Sequence, residues 1–250
     1  MTSSATTLDA TRDHYRKLLS PIYRWMLGDF DAAVARSRME LEALGIGRAR
    51  GGARGLDLGA GPGLHAIPMA ELGYRVTAVD LSEELLAELA VARPDIGVVV
   101  ANILEFGAYS PGPYDVVVCM GDTLTHLPSL DDVDRLFEHV LGSLAPKGTF
   151  ALTFRDYATS TRESTDRFIL VRADDARILT CCLDYGPDRV RVTDVVHERT
   201  QRGWEMRAGA YPKLRLSLDW VVSRLSARGA EVTQATTAMG RITVAVRARP

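Results

Sequence analysis

Leu56-Asp57-Leu58-Gly59-Ala60-Gly61-Pro62-Gly63 decides the fold of this chain. Gly55–Leu58 is a short apolar segment that predicts a buried strand entering a glycine-rich turn. The apolar run Leu64–Leu72, closed by Gly73, predicts a helix straight after it. Glycines let the backbone take unusual angles and let a ligand approach closely. A helix N-terminus adds N–H groups and partial positive charge, which suits a carboxylate or phosphate.

The spacing narrows the ligand. Gly59, Gly61 and Gly63 fit G-x-G-x-G, whereas the nicotinamide fingerprint G-x-G-x-x-G would place its third glycine at Leu64. Asp57 lies two residues before the first glycine, where it does nothing for a pyrophosphate but suits the ammonium and sulfonium of S-adenosylmethionine. Asp80, 17 residues past Gly63, closes the next predicted strand, Arg75–Val79, at a place that suits two ribose hydroxyls.

Outward from this segment the pattern repeats. Ser82 is an N-cap, with Glu83 and Glu84 in the first turn of a helix reaching about Ala92. Strands are expected at Gly97–Val100, Tyr114–Cys119 and Thr149–Phe154, with a helix from about Asp131 to Leu144 before the last. Apolar strands alternating with helices imply an α/β fold: a mostly parallel sheet of seven strands with helices on both faces. After Arg155 the pattern changes to an antiparallel meander with strands near Phe168–Arg172, Arg177–Tyr185, Val190–Arg199 and Trp204–Tyr211. A helix capped by Ser217 and a closing hairpin, about Glu231–Thr236 and Arg241–Arg247, follow. The expected organisation is an N-terminal helical cap over 1–50, a cofactor domain over 51–155 and 214–250, and a β insertion over 156–213 between strands five and six. Residues 1–11 read as an unstructured leader, and Pro21 as a break in a helical run over 12–28.

From about Arg54 to Phe154 the chain resembles the class I, Rossmann-like S-adenosylmethionine-dependent methyltransferases. Leu56–Gly63 resembles their first motif and Val79-Asp80-Leu81-Ser82 their second; Ala101-Asn102-Ile103 resembles the segment that brackets the adenine, with Asn102 where an acid is frequent. The resemblance implies that Gly59, Ala60, Gly61 and Gly63 cradle the methionyl part, with Asp57 near its amino group. It implies that Asp80 binds the ribose, that Leu81, Asn102 and Ile103 surround the adenine, and that Met120 and Gly121 run beside the sulfonium. Gly121-Asp122-Thr123-Leu124-Thr125-His126-Leu127 is similar to a segment of glycine/sarcosine N-methyltransferases. On that likeness Asp122 and His126 touch the acceptor. His126, with an ordinary pKa near 6.5, is the candidate base, and Asp122 and Tyr157, the latter just past the fifth strand, are weaker catalytic candidates. Arg155 could clamp an acceptor carboxylate, and Tyr15, Tyr23 and Trp25 of the N-terminal helix could line the acceptor site.

The expected activity is in-line transfer of a methyl group to a small-molecule acceptor, through nitrogen first and oxygen or carbon next. The alternatives are a non-catalytic S-adenosylmethionine-binding protein and an NAD-dependent oxidoreductase. A net charge of -2 over 250 residues argues against nucleic acid as partner, and no apolar run approaches a membrane span. The three cysteines, without metal spacing, fit a reducing cytoplasm and no metal. Two roles stay open for the insertion: a wall over the acceptor, or the interface of a homodimer.

Overall fold

The computed structural model describes residues 4–159, 161 and 163–249. It opens with α1 (Ser4–His14), a π-helical turn at Tyr15–Leu19, a 3-10 turn at Ser20–Ile22, α2 (Tyr23–Leu27) and α3 (Phe30–Ala43). Pro21 falls in the 3-10 turn, so the break lies where proline removes an amide donor. The leader expected over 1–11 is corrected: Ser4 onward is helical, and residues 1–3 lie outside the described residues. Tertiary contacts explain the helix, since α1 rests on the last strand of the insertion.

The central sheet contains β1 (Arg54–Leu58), β2 (Arg75–Asp80), β3 (Gly97–Val100), β4 (Tyr114–Cys119), β5 (Leu144–Arg155) and two later strands. Between them run α4 (Ala66–Glu71), α5 (Glu83–Ala92), α6 (Phe106–Tyr109) and α7 (Leu130–Ser143). Ser82 and Ser129 cap α5 and α7 by accepting the amides of Leu85 and Asp132. On α7 the spacing Val133, Leu136, Phe137, Val140 puts one apolar face on the sheet. β5 starts five residues earlier than expected because Pro146-Lys147-Gly148 forms an irregularity within the ladder, with Lys147 at φ 65°, rather than a break before it.

β6 (Phe168–Ala173), β7 (Arg177–Tyr185), β8 (Arg189–Thr200) and β9 (Gly203–Leu214) form a separate antiparallel sheet in that order. The chain then returns through α8 (Leu218–Ala227) to β10 (Glu231–Ala238) and β11 (Arg241–Arg247). The seven-stranded order is β10-β11-β5-β4-β1-β2-β3, with β11 antiparallel to both neighbours. Alternate strand residues feed two cores: Val117, Phe150 and Leu152 pack with α7 and α8, and Val116, Val118 and Ala151 pack with α3 to α5. A third apolar cluster joins Leu18 and Ile22 to Leu179 and Val196, fixing the N-terminal helices onto the insertion.

Candidate functional site

One cavity of about 840 Å³ lies at the carboxyl ends of β1 to β5, between the glycine turn, the N-terminal helices and the inner face of the second sheet. That volume is in the upper part of the range for small-molecule sites and has room for more than one ligand.

On the sheet side it is lined by the glycine turn, Asp80, Leu81, Asn102, Ile103, Met120 and Gly121. Asp80 ties the turn to β2: its carboxylate accepts from the amides of Gly61 and Ser82, both at 2.8 Å. Burial raises its pKa, and those amides oppose the rise. Asn102 uses its Oδ1 to accept from the Leu104 amide, which leaves its NH2 group for other partners. Gly61 (φ 51°) and Gly121 (φ 73°) both line the cavity, and a Cβ on either would stand in nearly open space. That space fits a bound molecule lying close against the backbone. Gly61→Ala meets no neighbour but puts a side chain on left-handed backbone, and is expected to cost about 1–2 kcal/mol of stability. It should weaken S-adenosylhomocysteine binding by more than tenfold, which calorimetry beside a thermal melt separates.

Three expected features differ. The helix begins at Ala66 rather than Leu64, so the turn is longer. The amides of Gly59 and Ala60 bond Val79 O, that of Gly61 bonds Asp80, that of Gly63 bonds Ala60 O, and Pro62 has none. The free N–H groups expected of this turn are thus already used between 59 and 63. Gly63 does not line the cavity; its absent side chain makes room for Leu89, 2.4 Å from where a Cβ would stand. Asp57 is 1% exposed beneath the turn, with both oxygens lacking a hydrogen-bond partner among the described residues. Burial pushes its pKa up to about 6, against the pull of His65.

At the far end stands Asp122. It accepts from Lys213 Nζ (2.6 Å), Tyr157 OH (3.0 Å) and the Arg155 amide (2.7 Å). Burial alone would raise its pKa, but Lys213 and the Arg155 amide outweigh that and hold it far below the usual carboxylate range. Lys213 arrives from β9, 5% exposed, with Nζ 5.7 and 5.6 Å from the ring centres of Tyr157 and Tyr211. Burial, then Asp122, pushes the Tyr157 phenol far above its ordinary value. The Arg155 side chain is 58% exposed, with Nε 3.8 Å from Asp122. Asp156 caps its own turn through the amides of Ala158 and Thr159.

His126 stacks on Tyr211 (5.3 Å between centres, 20°) and meets the Tyr15 hydroxyl at 3.4 Å through Nε2. Its Nδ1 is buried with no partner among the described residues. Burial, helped by Lys213 and His14 and opposed by Asp122, drives its pKa down to about 3. The ordinary pKa expected for His126 is therefore corrected: it is a neutral ring at physiological pH. Tyr23 lies 6.3 Å from Tyr15, and burial pushes its pKa up to about 12. Trp25 is placed elsewhere: its indole donates to Asp174 and lies against Arg172 and Arg177, outside the cavity.

Sequence reasoning missed Lys213 and the buried His14–Asp194 pair (2.9 Å), whose histidine packs 4.4 Å from Tyr211. The available signal was composition: Lys213 is one of three lysines among 30 basic residues.

Residues 56–148 match the methyltransferase domain family. A ubiquinone biosynthesis O-methyltransferase of Xanthomonas euvesicatoria is 37% identical over 106 residues, 41% of this chain and 43% of that protein. A glycine/sarcosine N-methyltransferase of Halorhodospira halochloris is 29% identical over 112 residues, 43% and 42% of the two chains. The chain thus spans less than half the length of these relatives. An amino pentose methyltransferase from Micromonospora echinaspora, solved with S-adenosylmethionine bound, superposes with a TM-score of 0.74 at 16% identity, covering 93% of this chain and 97% of its own. Residues 56–148 thus match a methyltransferase domain by sequence, and the chain shares the fold of solved S-adenosylmethionine-dependent methyltransferases.

Proposed function

We propose that this chain moves the methyl group of S-adenosylmethionine to a small-molecule acceptor, and that the accepting atom is an amine nitrogen. One observation supports this most: a single cavity runs from the Asp80–Ile103 end, past Gly61 and Gly121, to Asp122, His126 and Tyr211. The similar proteins are named for both oxygen and nitrogen acceptors, so the choice of atom rests on the site.

Bound S-adenosylmethionine supplies a methyl group on a cationic sulfur, open to in-line displacement. Asp80 has lone pairs left for ribose hydroxyls after holding Gly61 and Ser82, and Leu81 and Ile103, which line the same end of the cavity, would flank the adenine. Tyr15, His126 and Tyr211 form an aromatic wall that orients the acceptor; positioning supplies much of the catalysis when the leaving group is this good. Positive charge passes to the acceptor during transfer. The ionised Asp122 and the faces of the tyrosine rings favour that charge. None of the three candidates is tuned to take a proton: Asp122 ionises far too low, His126 near 3, and Tyr157 stays a neutral phenol. A neutral amine attacks with its lone pair and releases a proton only after the C–N bond forms. A hydroxyl would need a base within reach. Arg155, largely exposed at the rim, would hold an anionic group on the acceptor, and the second sheet would roof it.

Methyl-labelled S-adenosylmethionine offered with panels of small amines, amino sugars, amino acids and phenols tests this by NMR. N-methyl products are expected. O-methyl products alone would overturn the nitrogen assignment, and binding without transfer to any acceptor would support a non-catalytic binder. On the identified acceptor, His126→Asn should lower kcat about tenfold, the effect of one lost positioning contact. Cofactor affinity should hold, and the wild-type and His126→Asn profiles should have the same shape near pH 6.5, because the ring does not ionise there.

A further inference from the structure

We propose that Arg241, at the start of β11, receives the carboxylate at the amino-acid end of S-adenosylmethionine, with Glu40 and Thr153 as its positioning residues. This rests on the cofactor reading above. The glycine turn cannot do the work from 59 to 63, because every amide there is already bonded or absent. A carboxylate placed in a cavity needs a paired donor.

The order of strands says where that donor must be. Asn102 and Asp80, at the ends of β3 and β2, serve the adenosine end. The glycine turn follows β1, so the amino-acid end extends towards β4, β5 and β11. Arg241 is the first residue of β11, pairs with Arg155 at the end of β5, and lines the cavity. Its Nη2 donates to Thr153 Oγ1 (2.8 Å), the same oxygen that accepts from the Gly121 amide (2.9 Å). The guanidinium therefore stands one hydroxyl away from the backbone expected to flank the sulfonium.

The other cations lining the cavity have other places. Lys213 is buried against Asp122, Arg155 lies at the rim where the acceptor is proposed to bind, and Arg12 and Arg16 form exposed pairs with Asp9 and Asp13 in the N-terminal helical segment. Arg241 is fastened through Nη2 alone, to Thr153 and to Glu40 Oε1 (2.7 Å). Glu40 is held in turn by His65 (3.3 Å) on its other oxygen. Nη1 and Nε of Arg241 have no protein partner among the described residues, so a fork remains for a carboxylate, and arginine suits that geometry.

The test is calorimetry on the full chain with S-adenosylhomocysteine and with S-adenosyl-3-thiopropylamine, the same molecule without its carboxylate. The wild type should prefer the carboxylate-bearing ligand by about 10- to 100-fold, the range for hydrogen bonds to a charged group. Arg241→Met should erase that preference while binding the decarboxylated ligand as the wild type does. A merely structural role for the Arg241–Glu40 pair would weaken both ligands together and overturn the proposal, as would a wild type without preference. A wild type that binds neither ligand would remove the cofactor reading as well. If Arg241→Met does not fold, Arg241→Lys decides: a preference reduced severalfold supports the assignment, an unchanged one overturns it.

Discussion

Asp80→Ala is expected to weaken S-adenosylhomocysteine binding by about 100-fold or more while the protein stays folded. Two losses combine. One is the grip on ribose hydroxyls, each charge-assisted hydrogen bond being worth about 1.5–3 kcal/mol. The other is the tether from β2 to the turn, since the Gly61 and Ser82 amides lose their acceptor together. Asp80→Asn separates the two. It keeps one oxygen for an amide, so its loss should be smaller than that of the alanine variant. Calorimetry gives both values, and a melt shows whether the turn still folds. Unchanged affinity in Asp80→Ala would dismiss the ribose role and, with it, the placing of the adenosine end over β2 and β3.

The cofactor half was legible because its signals are local. The strand Leu56–Leu58, the positive φ at Gly59 and Gly61, and the cap Ser82 each follow from a few neighbouring residues. Even there, local signals misassigned tasks. Gly63 reads like a ligand glycine but serves packing against Leu89, and Asp57 reads like a ligand acid but lies beneath the turn. Spacing says that a small or acidic residue is needed, not which side of the turn it faces.

The end of the cavity proposed for the acceptor was less legible because its contacts are long-range. His126 meets Tyr15 across 111 residues, Asp122 meets Lys213 across 91, and His14 meets Asp194 across 180. Residue type suggested His126 as a base, yet burial beside Lys213 removes the ionisation that suggestion needed. Trp25 shares its helix with Tyr23, but residues two apart on a helix lie about 200° apart, so Trp25 turns to the ends of β6 and β7 instead of the cavity. The N-terminal helix itself is polar and weakly patterned; packing on β9 holds it, and packing is invisible in composition.

Lys213→Met should have the largest effect on stability and should make it depend on pH in a new way. In the native protein Asp122 ionises well below its unfolded value, so the pair stabilises the fold above about pH 4 and that contribution is lost as the pH falls through the native pKa. Removing Lys213 leaves a mostly buried carboxylate with Tyr157, the Arg155 amide and, at 3.8 Å, the exposed Arg155 side chain, and burial then raises its pKa. Breaking a buried pair from one side costs about 3–5 kcal/mol. At pH 8 the variant should fall short of the wild type by about that much. The gap should narrow towards pH 5, because protonating the orphaned acid relieves it. Asp122→Asn with Lys213→Met removes both charges and should recover most of the loss. Denaturant melts at several pH values measure all three proteins. A deficit equal at every pH, or one that adds up fully in the double variant, would mean that Lys213 supports the site by packing on Tyr157 and Tyr211 and not by charge. The same series bears on turnover. If the ionised Asp122 favours the charge arriving on nitrogen, kcat of Lys213→Met should acquire an acid limb absent from the wild type, at the pH where its stability deficit begins to close.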